Sequence, residues 1–179
     1  SAASLPPDVP TFYLPVRGVA AQGAKLVYQS RILGAARINY SDSKIKVEQT
    51  ENGVFITPIT DNAIPVVWED AQEIKVPAKD LERTPSPGAS FTSLPGTAGQ
   101  SKNYTTWNRE LSNWLYATRK LELFYSKTIK EVSFAGETEQ EFRIRLGQFA
   151  REHRDEGIEL LRKKYSSKMV TLQDRKRRA

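Results

Sequence analysis

The residues of this chain best suited to chemistry are its bases. Arg162, Lys163, Lys164, Lys168, Arg175, Lys176, Arg177 and Arg178 crowd the last eighteen positions, opposed by Asp174 alone. That is seven net positive charges in a chain whose total is +6, so everything before Arg162 sums to −1. Lysine and arginine at this density neutralise phosphates and give salt-dependent, sequence-independent affinity for nucleic acid. The same eight bases also suit the solvated face of a coiled coil whose later segments balance the charge. Attraction to a membrane surface is a third use of such a segment.

Catalytic groups are scarcer. His153 is the single histidine, set between Glu152 and Arg154, and a general base or metal ligand there would need partners the chain barely offers. Glu152, Asp155, Glu156 and Glu159 with Arg151 and Arg154 read as i,i+4 pairs on a solvated helix face. The absence of cysteine excludes disulfides, thiolate zinc sites and cysteine nucleophiles, and fits a reducing, cytoplasmic setting. No glycine-rich phosphate loop with a following lysine, no metal-ligand spacing and no nucleophile motif occurs. The expectation is no catalytic residue, no metal and no cofactor, in a chain that is not an enzyme by itself. No run of about 18 apolar residues is present, so no membrane partner is expected.

The element that must position the bases is the stretch from Thr138 to Ala179, which reads as one long helix. Thr138-Glu139-Gln140-Glu141 is a capping-box pattern, and Glu137, Glu139 and Glu141 complement the helix dipole. No proline follows, and the stretch could run roughly 60 Å at 1.5 Å per residue. Phe142, Leu146, Phe149 and His153 make a stripe that packs on the body. Ile158, Leu161, Tyr165, Met169 and Leu172 continue it in a coiled-coil-like manner. Gly147 is read as a point of close approach and Gly157 as a kink. The helix has no C-terminal capping residue, and the opening Ser1-Ala2-Ala3 lacks a methionine, so the chain is read as an excised piece of a longer protein.

The first half is strand-rich. Thr11 to Val16 is an extended lead-in among prolines. Lys25 to Tyr40 reads as two short strands, or one bent at Gly34-Ala35-Ala36. Ser41-Asp42-Ser43 is a turn, Lys44 to Gln49 alternates as a strand, and Glu51-Asn52-Gly53 carries the hairpin signal before Val54 to Ile59. Residues 35–59 are thus expected to form a three-stranded meander, with further strands at Ile64–Trp68 and Glu73–Val76. The fold class is α+β: an N-terminal antiparallel sheet, either a small barrel or an open sheet, then a helical hairpin whose last helix is long and coiled-coil-like. The organisation is a β-rich body at 1–83, a Pro/Gly/Ser connector at 84–103 and a helical part at 104–179. Phe91 and Leu94 are expected to pin the connector. Tyr104, Trp107, Leu111, Trp114, Leu115 and Leu121 form one helical stripe, and its tryptophans are read as core rather than as base-stacking platforms. Leu121 to Phe134 suits either a continuing helix or an extended strap.

Scattered stretches carry a resemblance. They are Leu5-Pro6-Pro7-Asp8-Val9-Pro10-Thr11-Phe12-Tyr13-Leu14-Pro15-Val16, Leu33-Gly34-Ala35-Ala36-Arg37-Ile38, Leu81-Glu82-Arg83-Thr84-Pro85-Ser86-Pro87-Gly88-Ala89, and Tyr104-Thr105-Thr106-Trp107 with Trp114-Leu115-Tyr116. Gly136-Glu137-Thr138, Glu141-Phe142-Arg143-Ile144-Arg145-Leu146 and Arg151-Glu152-His153-Arg154-Asp155 complete the set. Together they resemble the region that follows the motor domain in bacterial HerA/FtsK-type ATPases of the helicase HerA-like group. The resemblance implies a DNA-processing or defence ATPase whose phosphate-binding motifs lie upstream, and a coiled coil that carries on downstream. This chain would then be a structural and assembly module linking motor to arm. Its partners would be the rest of the parent chain and further copies through the long helix. The alternative is a nucleic-acid-binding module using the eight bases named above.

Overall fold

A computed structural model describes residues 5–148 and, for the backbone alone, Ile158–Leu161 and Lys168–Arg178. The strands are β1 (Thr11–Tyr13), β2 (Val27–Tyr28), β3 (Ser30–Asp42), β4 (Val47–Pro58), β5 (Gln72–Ile74) and β6 (Ser90–Phe91). Helix α1 (Ser101–Thr118) follows, then β7 (Leu123–Ser126), β8 (Glu131–Val132), α2 (Glu139–Gly147), β9 (Ile158–Leu161) and β10 (Lys168–Arg178). One unit comprises Ser1–Ile38, Glu51–Ala117 and Met169–Ala179; the other comprises Asn39–Thr50 and Thr118–Lys168.

The first unit is built on an open sheet of order β1-β10-β3-β4-β5, with β1 and β5 at its edges, so it is not a closed barrel. β3 explains how α1 is seated. Successive strand residues face opposite sides, and one side of β3 reads Ile32, Gly34, Ala36, Ile38, all buried. Large residues at the ends and small ones between leave a notch. Leu111 of α1 and the Trp68 ring meet at Gly34, where a β-carbon would clash with the Leu111 methyl and lie 3.0 Å from Trp68 Cη2. The Trp68 indole N–H donates to the Trp107 carbonyl at 3.0 Å, tying the turn at Trp68–Asp70 to α1. Trp114 meets Phe55 edge-on at 5.6 Å, and Trp107 meets Tyr104 at 4.8 Å. The tryptophan stripe is therefore core. On the sheet's opposite face Phe12, Leu33, Val54 and Leu81 form a second cluster. The connector is held by Phe91, which stacks on Tyr28 at 5.8 Å while β6 pairs in parallel with β2.

Several local expectations are corrected. β3 runs unbroken through Gly34, because the missing β-carbon serves packing rather than a bulge. Asn52-Gly53 lies inside β4 and not at a turn. The turn is at Ser43–Lys46, and the Phe55 ring occupies the space a Gly53 side chain would need. Residues 35–59 thus make one long hairpin, not a meander, and Ile64–Val67 is not a strand.

In the second unit, Leu123–Ser126 is a strand in a sheet of order β8-β7-β9, which resolves the helix-or-strap ambiguity toward extended chain. The capping box forms as read: Glu141 N–H donates to Thr138 Oγ1 at 3.1 Å, and Thr138 N–H donates to Glu141 Oε2 at 2.8 Å. The helix it opens is short. α2 ends at Gly147, β9 pairs antiparallel with β7, and β10 lies between β1 and β3. The long helix and the helical hairpin are therefore not what the described residues form. Ile158, Val170 and Thr171 are β-branched and have only middling helix propensity, and open strand edges supply the segment with backbone partners. Tertiary pairing overrides the apolar spacing there. Among the described residues, no atom lies within 4 Å of a β-carbon built on Gly147, so none of them makes a close approach there.

These two glycines make opposite predictions. Gly34→Ala is expected to lower stability by about 1–3 kcal/mol through overpacking against a fully buried leucine. Gly147→Ala, at the last residue of α2, is expected to raise it slightly, by about 0.5 kcal/mol or less, through helix propensity. Urea unfolding of the two variants checks both signs.

Candidate functional site

In the first unit a groove of about 1030 Å³ lies along the face of β3, β4 and the chain around β5. The pairing of Val54 with Ile74 sets its register. Ile74, Val76 and Ala78 are half-buried while Lys75, Pro77 and Lys79 are exposed, the alternation of an extended segment with one face inward. Small residues at Ala35, Gly53 and Ala78 give the groove its depth. Arg37, Asn52, Lys75 and Lys79 stand at its rim. Lys75 and Pro77, just after the edge strand β5, also blunt edge-to-edge pairing. The lining offers an aliphatic floor and cations, and it holds no serine, histidine or cysteine.

The most strongly coupled charges are in the second unit. Arg145 meets Glu137 through Nε to Oε1 at 2.9 Å and Nη2 to Oε2 at 3.1 Å, a bidentate pair. Nη2 also donates to the Val132 carbonyl at 3.1 Å, and Glu137 Oε2 accepts from the Phe134 N–H at 2.7 Å. The guanidinium lies 4.1 Å from the Phe134 ring centre and 5.2 Å from that of Phe142. The Arg145 hydrogen bond holds the Glu137 carboxyl below the ordinary glutamate range, and the pair in turn pushes Arg145 up. This is a clasp joining the end of β8 to α2. Sequence reading assigned Glu137 only to the helix dipole, because a pair eight positions apart across a cap has no i,i+4 signature.

Of the bases singled out from sequence, Lys168, Arg175, Lys176, Arg177 and Arg178 fall in β10. The backbone there sets Lys176 beside Thr11, Arg177 beside Phe12 and Arg178 beside Tyr13. Arg162, Lys163, Lys164 and His153 lie outside the described residues. Among the described residues no group of three or more His, Cys, Asp or Glu is placed to hold a metal ion. No helix there is long and apolar enough to cross a membrane. Comparison with protein-family models, with curated proteins and with solved structures gave no match.

The clasp predicts a pH dependence. A carboxyl whose folded pKa is depressed contributes stability above its unfolded value, near 4.3, and loses it as pH falls through the folded value. Glu137→Gln is expected to cost about 1.5–3 kcal/mol at pH 7, where the charge-assisted bonds are intact. The wild-type advantage should shrink toward zero in acid, as read by denaturant unfolding at a series of pH values.

Proposed function

We propose that this chain is a non-catalytic assembly module of a larger HerA-like DNA-processing or defence ATPase, a body that joins the motor to a coiled-coil arm. The observation that supports the reading most is where the resembling stretches meet. Phe12, Leu33 and Leu81 come from three of them and form one apolar cluster with Val54. Tyr13 and Glu82 exchange backbone hydrogen bonds at 2.8 and 2.9 Å, and the Arg83 guanidinium lies 4.5 Å from the Phe12 ring centre. Gly34, from the second stretch, receives the α1 side chain Leu111. The resemblance thus falls on residues that build the body. In this reading ATP hydrolysis belongs to the motor, the partners are the remainder of the parent chain and further copies, and the setting is cytoplasmic.

A longer chain carrying both flanks is expected to self-associate in sedimentation velocity, and a strictly monomeric one would sink the reading. A second reading, a nucleic-acid-binding module using the basic segment, is favoured by the seven net positive charges gathered there. It predicts binding at low salt that weakens roughly tenfold or more when Arg175, Lys176, Arg177 and Arg178 become glutamine. Equal shifts for parent and variant in a low-salt mobility assay would rule it out.

A further inference from the structure

Two turns of the second unit are built alike. Between β3 and β4 runs Ser43–Lys46, preceded by Asp42, whose Oδ1 accepts from the N–H groups of Lys44 at 2.9 Å and Ile45 at 3.4 Å. Between β7 and β8 runs Lys127–Lys130, preceded by Ser126, whose Oγ accepts from Ile129 N–H at 3.3 Å. The Ser126 carbonyl accepts from Lys130 N–H at 2.8 Å. Each turn ends in isoleucine then lysine, and both lysines are left-handed, Lys46 at φ +54° and Lys130 at φ +58°. That position favours glycine or asparagine, since a side chain there brings its β-carbon too close to the following carbonyl. Backbone strain held at two separate points is a reason to ask what the two side chains share.

They share a groove. Lys44 and Lys46 from the first turn and Lys130 from the second line one depression of about 600 Å³. Leu123 and half-buried Tyr125 also line it, as does Phe134, which is 66% exposed and carries the Arg145 guanidinium 4.1 Å from its ring centre on one face, leaving the other for a base. An exposed phenylalanine beside lysines is the composition of a surface that binds unpaired bases: rings offer stacking faces and ammonium groups track the phosphates. Glu48 and Glu131 line the groove too, so among the described residues three lysines face two glutamates. Bulk charge is therefore slight, and recognition must rest on where the lysines are held and on stacking. This disfavours a duplex, whose bases are already stacked and whose hold on protein is mainly through phosphates.

We infer that this groove is a binding site for single-stranded nucleic acid, with Lys46 and Lys130 contacting phosphates and Phe134 and Tyr125 stacking on bases. The inference does not rest on the assembly reading.

The strain supplies a discriminating variant. Lys46→Gly with Lys130→Gly removes both amines while relieving both backbones, so the double variant should melt no lower than wild type. It should still bind a fluorescein-labelled oligothymidylate more weakly, with the salt slope reduced by about 1.4. Phe134→Ala should weaken binding by about fivefold or more, with no change in salt slope. The glutamine variant of Arg175, Lys176, Arg177 and Arg178, measured alongside, separates the two segments, and the groove effects should persist in it. Unchanged oligonucleotide affinity in the folded glycine variant overturns the inference. So does duplex binding as tight as single-strand binding, or displacement of the oligonucleotide by inorganic pyrophosphate at equimolar concentration, which would mark a small-phosphate site.

Discussion

The meeting of Leu111, Trp68 and Gly34 is the constraint on which the first unit depends. A helix can lie this close to a strand only where the strand presents no side chain, and the buried face of β3 narrows to glycine and alanine at that level. Once Trp68 is drawn into the notch, its indole N–H must find an acceptor, because a buried unpaired donor is costly. The Trp107 carbonyl provides it. Sheet, turn and helix are thereby joined through one glycine and one hydrogen bond. The other face of the same strands is left to Phe12, Leu33, Val54 and Leu81, and to the shallow groove beside them.

The long hairpin β3–β4 has a second consequence. Its base belongs to the first unit and its tip, Asn39–Thr50, to the other. Within the second unit the capping box starts α2, and the Arg145–Glu137 clasp holds that start to the end of β8. The clasp depends on a guanidinium between two aromatic rings that also satisfies a carboxylate and a carbonyl. A lysine in the same place could not do this, lacking the planar fork.

Much of the local structure was legible in the sequence. The tryptophan stripe, the capping box, the strand around Glu73 and the anchoring of the connector by Phe91 follow from periodicity, side-chain capping chemistry and isolated apolar residues in a polar run. Asn52-Gly53 misled because a hairpin signal reports only what the backbone can do. The Phe55 ring supplied another reason for a glycine there. The end of the chain misled for a related reason: spacings of three and four describe a helix in isolation and carry no information about vacant strand edges.

By itself the sequence determined the α+β class but not its long last helix, and also the buried face of α1, the start of α2 and the concentration of charge from Arg162 onward, all of which follow from composition or from neighbours within a few positions. Only the tertiary structure decided that Gly34 is a packing notch, that Glu137 belongs to Arg145, and that lysines 84 positions apart line one groove. Such pairings arise from strand register and close packing between distant segments, and no local pattern of residues encodes them.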